Sequence, residues 1–406
     1  MFFDLMFLSL MIFGMRINEL WLPGITEPIS ILGNALMMFA VIGLAVLYTR
    51  FTRTPSKSSG KNTTIAALLA LFILISCIWF SAHILAGWHI GTCDSENAKS
   101  HPNIILVTLD TVRADHLGAY GYSRDTSPNF DQFAEENYLF TGMRTPMPLT
   151  SPSHTSLFTG AMPHVHGVLT NIGRFPDGCI LRSIADQLGF EGYITAGFPA
   201  AVHMGSKFNF HQGYYTYNQS TILNGPDWLQ SMYRLAPIAI LCRLGIIRET
   251  GLARDSRQVN QAFFHWLDHT SEPFYAWLHY FDAHSPYQPP DEYWRMFDPA
   301  YQGSITGSQE EIDRINEQME ATSFGESLPE GFTQADIDNL IARYDGEIRY
   351  QDESLGQLFD ELKARGLWDN TTIVIVSDHG EGMYDDGYFG HNFTLKEYEI
   401  RLACSI

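Results

Sequence analysis

Asn103–Asp110 reads NIILVTLD: after Asn103 come six apolar or β-branched residues (Thr108 the one hydroxyl inside the run), closing on an acid. A run with no polar alternation marks a strand buried on both faces. An acid directly after it falls at the carboxyl edge of a sheet, where α/β folds bind their ligands. Similar runs recur at Tyr193–Gly197, Phe274–Tyr280 and Thr371–Ser377. Helical patterns separate them. Between Tyr344 and Gly366, the residues Ile348, Leu355, Leu358, Phe359 and Leu362 share one face, and Gly366 supplies a stop. Strands alternating with helices predict an α/β fold, a three-layer α/β/α sandwich with a largely parallel, mixed sheet, over residues 103–406. The acidic stretch 298–338 carries few strand signals and is expected to be a surface insertion, helical, near the mouth of the site.

The first ninety residues have a different character. Ile29–Tyr48 and Ile65–Trp88 each hold about 20 mostly apolar residues, enough to span a bilayer. The loop between them carries Arg50, Arg53, Lys57 and Lys61 and no acid, which places it on the cytoplasmic side. Residues 1–91 therefore form a predicted transmembrane region, and 92–102 a polar linker. Phe2–Met15 is apolar but short and interrupted by Asp4; it is read as a further span, an interfacial helix or part of a longer segment. The rest of the chain is then expected outside the cytoplasm, periplasmic or extracellular, anchored in a bacterial inner membrane.

A net charge of −20 excludes a nucleic-acid partner, because phosphate backbones require a basic surface. It does not exclude a small anionic ester, since a bound cation reverses the local field. The five cysteines, Cys77, Cys93, Cys179, Cys242 and Cys404, are scattered singly and imply neither a disulfide framework nor a zinc knuckle.

Four places put acid, hydroxyl or imidazole groups after a strand or at a helix start. They are Asp110; Thr150-Ser151-Pro152-Ser153-His154; Asp282-Ala283-His284-Ser285-Pro286; and Asp378-His379-Gly380-Glu381 with Gly390-His391-Asn392 beyond. Carboxylates and an imidazole converging from separate elements suit a divalent metal ion, and Asp110, Asp378 and His379 supply that set. A hydroxyl beside the ion becomes a nucleophile, and Thr150 is placed for it. Pro152 suits a first helical turn, so free backbone N–H groups there are expected to face a tetrahedral oxyanion. Each residue also has an ordinary reading. Asp110 and Asp378 would serve as turn residues, Thr150 as a helix cap, and His284 and His391 as structural histidines. His164 and His166 are read as structural, and Glu381 as a group behind the ligands.

The ordered motifs Asn103–Asp115 (NIILVTLDTVRAD), Tyr120-Gly121-Tyr122, Thr126-Ser127-Pro128-Asn129 and Pro152–Gly167 (ending PHVHG) resemble the sulfatase family of the alkaline phosphatase superfamily. The resemblance covers about 102–400 outside the insertion. It implies a metal-dependent hydrolase of sulfate or phosphate esters, with an ion that is calcium, manganese, magnesium or zinc. The family's Cys-x-Pro-Ser-Arg motif, whose Cys becomes formylglycine, aligns with Thr150–His154, so no formylglycine is expected. The family's second aspartate is Thr111 here, and its sulfate-binding Lys aligns with His391 or Asn392.

These departures are similar to the Thr-nucleophile branch, which includes phosphoethanolamine transferases and lipoteichoic acid synthase. On that likeness Asp110, Thr150, Asp378 and His379 hold the metal. His284 and His391 contact the transferred group as catalytic residues, and His154, His284, His391 and Asn392 bind substrate. The expected mechanism is double displacement through Thr150. Three functions follow: an ester hydrolase; a transferase of a phospho-headgroup to an envelope lipid or glycan; or a non-catalytic protein. The last is motivated by Leu402–Ile406, which read as featureless where the family continues with strands, leaving a sheet edge open.

Overall fold

The computed structural model describes residues 101–178, 181–219, 253–271, 273–321, 328–392 and 394–406. The apolar segments 2–15, 29–48 and 65–88 and most of the linker lie outside these residues. No helix among the described residues is long and apolar enough to cross a membrane.

The predicted strand runs form the centre of a six-stranded sheet. In chain order the strands are β1 (Asn103–Leu109), β2 (Ile194–Phe198), β3 (Thr216–Tyr217), β4 (Phe274–Tyr280) and β5 (Thr371–Ser377). A short hairpin follows, β6 (Gly382–Met383) with β7 (Phe389–Gly390), and then β8 (Cys404–Ser405). The sheet order is β3-β2-β4-β1-β5-β8, with every pair parallel except β5–β8.

Alternate strand residues face opposite layers, which accounts for the unbroken apolar runs. Ile105, Val107 and Leu109 join Phe274, Ala276, Leu278, Ile373 and Ile375 in one core. Helices α1 (Pro128–Glu136), α5 (Ser256–Leu267) and α8 (Gln334–Ala364) cover that face. Leu106, Tyr275, Trp277 and Val376 face the other core with Phe158 and Ala185. That side is covered by α2 (Thr150–Thr159), α3 (Pro163–His166) and α4 (Ile184–Phe190). Each fully buried Leu, Ile, Val or Phe contributes about 1.5–3 kcal/mol over exposure, so both layers are well anchored.

Two elements differ from the expectation. Helix α8 begins ten residues before Tyr344, within the stretch assigned to the insertion. Thr333 starts it by accepting from Asp336 N–H while its own N–H donates to the Asp336 carboxylate. Within that stretch α7 (Gln309–Ala321) is a helix, and α6 (Asp291–Trp294) precedes it. Asn316 of α7 exchanges two hydrogen bonds with the Phe389 backbone, tying the insertion to the segment carrying His391.

The second difference is the sheet edge. After α9 (Glu397–Ile400), residues Leu402–Ile406 are not featureless: β8 pairs with β5 on one side. On its other side Tyr138 N–H donates to Ile406 O and Phe140 N–H to Cys404 O, so the expected open edge of β5 is covered.

Register brings the chemistry together. Leu109 lies opposite Ser377, so Asp110 and Asp378 emerge side by side from neighbouring parallel strands. The chain then turns sharply through Thr111, whose φ of 56° is left-handed and unfavourable for a β-branched residue. Asp378 Oδ1 accepts from Thr111 N–H at 3.1 Å, and Tyr344 Oη donates to Thr111 O at 2.7 Å while accepting from Arg113 N–H at 2.9 Å. Tyr344→Phe would orphan two buried backbone groups at this turn. It is expected to lower unfolding stability by about 1–3 kcal/mol, read as a lower denaturant midpoint; an unchanged midpoint would show that the turn stands without Tyr344.

Candidate active site

Asp110, Asp378 and His379 are fully or almost fully buried, and their ligand-competent atoms lie within 4.8 Å of one another. Thr150, the first residue of α2, places Oγ1 3.4 Å from His379 Nε2. Helix α2 is pinned there by Ser153, whose hydroxyl donates to Asp378 O at 2.6 Å. Pro152 occupies the first turn, where its missing N–H costs nothing. The Ser151 N–H is already taken by Asn171 Oδ1 at 2.9 Å, so this helix start offers an oxyanion fewer free donors than the sequence suggested.

The hydrogen-bond network assigns the tautomers. His379 Nδ1–H donates to Gly380 O at 3.0 Å, leaving a lone pair on Nε2 facing Thr150 and the two carboxylates. Burial and the neighbouring His391 push its pKa well below the ordinary histidine value, so the ring is neutral. Gly380 is required in this turn because a Cβ would meet Tyr398 O at 1.9 Å.

The two acids differ. Burial opposes ionisation of Asp110, but the His279 hydrogen bond and the surrounding imidazoles outweigh it and hold the carboxyl well below its ordinary range. Burial and the charge of Asp110 push Asp378 well above it. Asp110 Oδ1 and Asp378 Oδ2 are both buried without a hydrogen-bond partner. Two buried, partly unsatisfied carboxylates beside a bare imidazole nitrogen and a hydroxyl are a fit donor set for a divalent cation. Asp110, Asp378 and His379, with Thr150, would hold it.

His284 and His391, expected at the substrate, flank this cluster. Their rings lie 5.2 Å apart, and His391 is 4.4 Å from His379. His284 stacks on Phe281 and donates from Nδ1 to Ser285 O at 2.7 Å. His391 Nδ1 contacts Glu381 Oε1 at 3.3 Å. Burial would lower the His391 pKa, but the Glu381 charge and hydrogen bond, with Asp110, raise it above the ordinary value.

The remaining expectations are placed differently. His154 is fully buried behind α2 with both ring nitrogens engaged. Trp277 Nε1–H donates to Thr108 Oγ1 (2.9 Å), the Thr108 hydroxyl donates to His154 Nε2 (3.0 Å), and His154 Nδ1–H donates to Thr150 O (2.9 Å). Burial and His279 push the His154 pKa down to about 3, so the ring is neutral and the chain runs one way. His154 therefore braces Thr150 from behind. Asn392 is exposed in a left-handed turn (φ 82°), held through its N–H by Glu399. His166 is structural as read: its Nδ1 accepts from Val168 N–H and its Nε2 meets Ser156 Oγ at 2.9 Å.

Two histidines escaped the sequence reading. His279, one residue from the end of β4, donates from Nε2 to Asp110 Oδ2 at 3.0 Å, with Ala200 N–H donating to its other nitrogen. His203, just after β2, has Nε2 buried without a partner, and burial lowers its pKa to about 4. Both lie at the carboxyl edge of the sheet, the signal that would have found them. A cavity of about 540 Å³ lined by Asp298, Tyr301, Thr333 and Asp336 shares none of these residues.

Residues 102–401 match the model of the sulfatase family. The chain belongs to that family, within the alkaline phosphatase superfamily. It is 26% identical over 321 residues to an arylsulfatase of Clostridium perfringens, covering 71% of this chain and 65% of that protein. It is 24% identical over 314 residues to human iduronate 2-sulfatase, covering 70% and 56%. The chain thus spans less than two thirds of the length of both relatives. Among solved structures, a phosphonate monoester hydrolase of Agrobacterium radiobacter shares the fold with a TM-score of 0.56, at 21% identity over 75% of this chain and 68% of that one. The C-terminal periplasmic domain of EcEptC from Escherichia coli, in complex with Zn, gives 0.50 at 16% identity, covering 75% and 72%.

Zinc or manganese is expected to raise the melting temperature over chelator-stripped protein, by about 3 kcal/mol of stability at a hundredfold excess over Kd. Asp378→Asn should erase the difference. Equal melting of stripped and loaded wild-type protein would rule out the cation.

Proposed function

We propose that this sulfatase-family chain is a membrane-anchored hydrolase of sulfate or phosphate esters that uses the Thr150 hydroxyl as its nucleophile. The observation that carries the reading is the Thr150 Oγ1 contact with the bare nitrogen of neutral His379, inside the Asp110–Asp378–His379 cluster. A divalent cation held there would acidify the hydroxyl and neutralise charge on the ester oxygens. The residues of the chain do the rest. His154 and Ser153 fix Thr150, while His279 fixes Asp110. The half-buried His284 and His391, and the unpartnered nitrogen of His203, face the transferred group. Thr150 Oγ1 attacks sulfur or phosphorus and the alcohol leaves. Water then cleaves the threonyl ester.

Of the two imidazoles expected at the transferred group, His391 is the one held in the proton-carrying form that can protonate the leaving oxygen, because Glu381 favours its charged form. His284 spends its Nδ1–H on Ser285 O. Membrane anchoring rests on the apolar segments 29–48 and 65–88, and the outward orientation on the cations between them. The same segments, with Thr150 where a formylglycine-forming Cys would stand, favour a second reading in which a lipid or glycan alcohol, not water, resolves the intermediate.

Thr150→Ala is expected to abolish turnover of aryl sulfate, aryl phosphate and bis-aryl phosphodiester alike while metal content is retained. Undiminished activity would remove Thr150 from the mechanism. Product formation that requires an added alcohol would select transfer over hydrolysis.

The required acid form of His391 persists to higher pH because its pKa is raised. With a poor leaving group, kcat/KM should therefore hold through neutrality and fall on the alkaline side. Glu381→Gln is expected to move that limb to lower pH. An alkaline limb unmoved by Glu381→Gln would exclude His391 as the acid.

A further inference from the structure

Residues 137–176 contain no Asp or Glu, in a chain of net charge −20. Inside this stretch lies the segment after the nucleophile helix, and it exposes Met162 (53%), Val165 (63%), Leu169 (52%) and Ile172 (79%). Singly exposed apolar side chains are ordinary, but four within eleven residues, with no acid among them, form a surface that needs a partner. The segment is held firmly. Asn171 takes the Ser151 N–H and accepts at its backbone oxygen from Ser151 Oγ, and His166 bonds Ser156 of α2. The apolar rim is thereby fixed along the helix that carries Thr150, from Ser151 in its first turn to Ser156.

We infer that this rim, Met162–Ile172, seats the catalytic edge of the domain on an anionic bilayer surface. The inference rests on the membrane anchoring proposed above. Two observations favour a bilayer as the occupant. The first is charge: anionic headgroups repel an acid-rich chain, and the acid-free stretch 137–176 that contains this rim adds no such repulsion of its own. The second is reach. Fourteen residues, 89–102, separate the apolar stretch ending at Trp88 from β1, and they extend to at most about 50 Å. The seven residues of β1 cover only about 23 Å between the point where the chain enters the domain and its catalytic edge. The tether is thus long enough for that edge to meet the membrane surface. The apolar side chains of this segment would then sink into the headgroup boundary, and the site would favour an ester carried at the surface by an apolar tail.

The test uses the full chain in nanodiscs and does not depend on turnover. Ile172→Trp places a fluorophore on the rim. Phe190→Trp, at the 69%-exposed end of α4 just before β2 enters the sheet, places one at the opposite edge. Lipids with brominated acyl chains and anionic headgroups should quench the fluorescence added by Ile172→Trp and spare that added by Phe190→Trp. Quenching of neither, of both equally, or of Phe190→Trp alone would overturn the inference. In the second arm, Leu169→Ser with Ile172→Ser should lower kcat/KM about tenfold for a long-chain ester in the nanodisc and leave a soluble aryl ester unchanged. Equal loss on both esters would contradict docking. If no ester is turned over at all, the proposed activity fails while the quenching result still decides the surface.

Discussion

Two carboxylates emerge side by side from neighbouring parallel strands, with water excluded and with their facing oxygens unpaired. At a separation of 4 to 5 Å and an effective dielectric near 20, two such charges repel by about 3–4 kcal/mol, before the cost of burying them is counted. Asp110 and Asp378 have oxygens no more than 4.8 Å apart. Among the described residues the groups around the pair are imidazoles rather than Lys or Arg, and of these His379 and His154 are held neutral by burial. A cation between them is the arrangement that lets both acids ionise. The left-handed turn at Thr111, the hydroxyl of Thr150 and the serine that pins α2 to Asp378 are all organised around that point.

Family membership and local chemistry pull in different directions at three positions. On the resemblance to the family's motifs, Thr150 stands where a cysteine to be oxidised is expected, His154 where an arginine is expected and Thr111 where an acid is expected. The structure shows what two of these replacements do. His154 has become a neutral link in a one-way hydrogen-bond chain from Trp277 through Thr108 to the Thr150 carbonyl. Thr111 spends its hydroxyl on the Asp110 carbonyl and offers no ligand atom to the site.

Much of this was legible in the sequence because the signals were local. The β-branched runs marked the four central strands, three of them with the observed boundaries, and each catalytic acid closed a run. The start of α8 was also written locally, in the capping pair Thr333 and Asp336, but the acidic composition around it suggested an insertion instead. What stayed hidden depends on register between distant strands. His279 reaches Asp110 only because β4 pairs with β1 so that Thr108 lies opposite it. His203 reaches the same edge through β2. Leu402–Ile406 look featureless until β5 on one side and residues 138–140 on the other complete their hydrogen bonds.

The central claim is that one cation sits between Asp110 and Asp378 with His379 as its nitrogen ligand. X-ray absorption spectroscopy of the zinc-loaded full chain tests this directly. A first shell of oxygen ligands with one imidazole, the imidazole signature vanishing in His379→Ala and persisting in His279→Ala, is the predicted result. Sulfur ligation, or an imidazole signal indifferent to His379, would contradict the account.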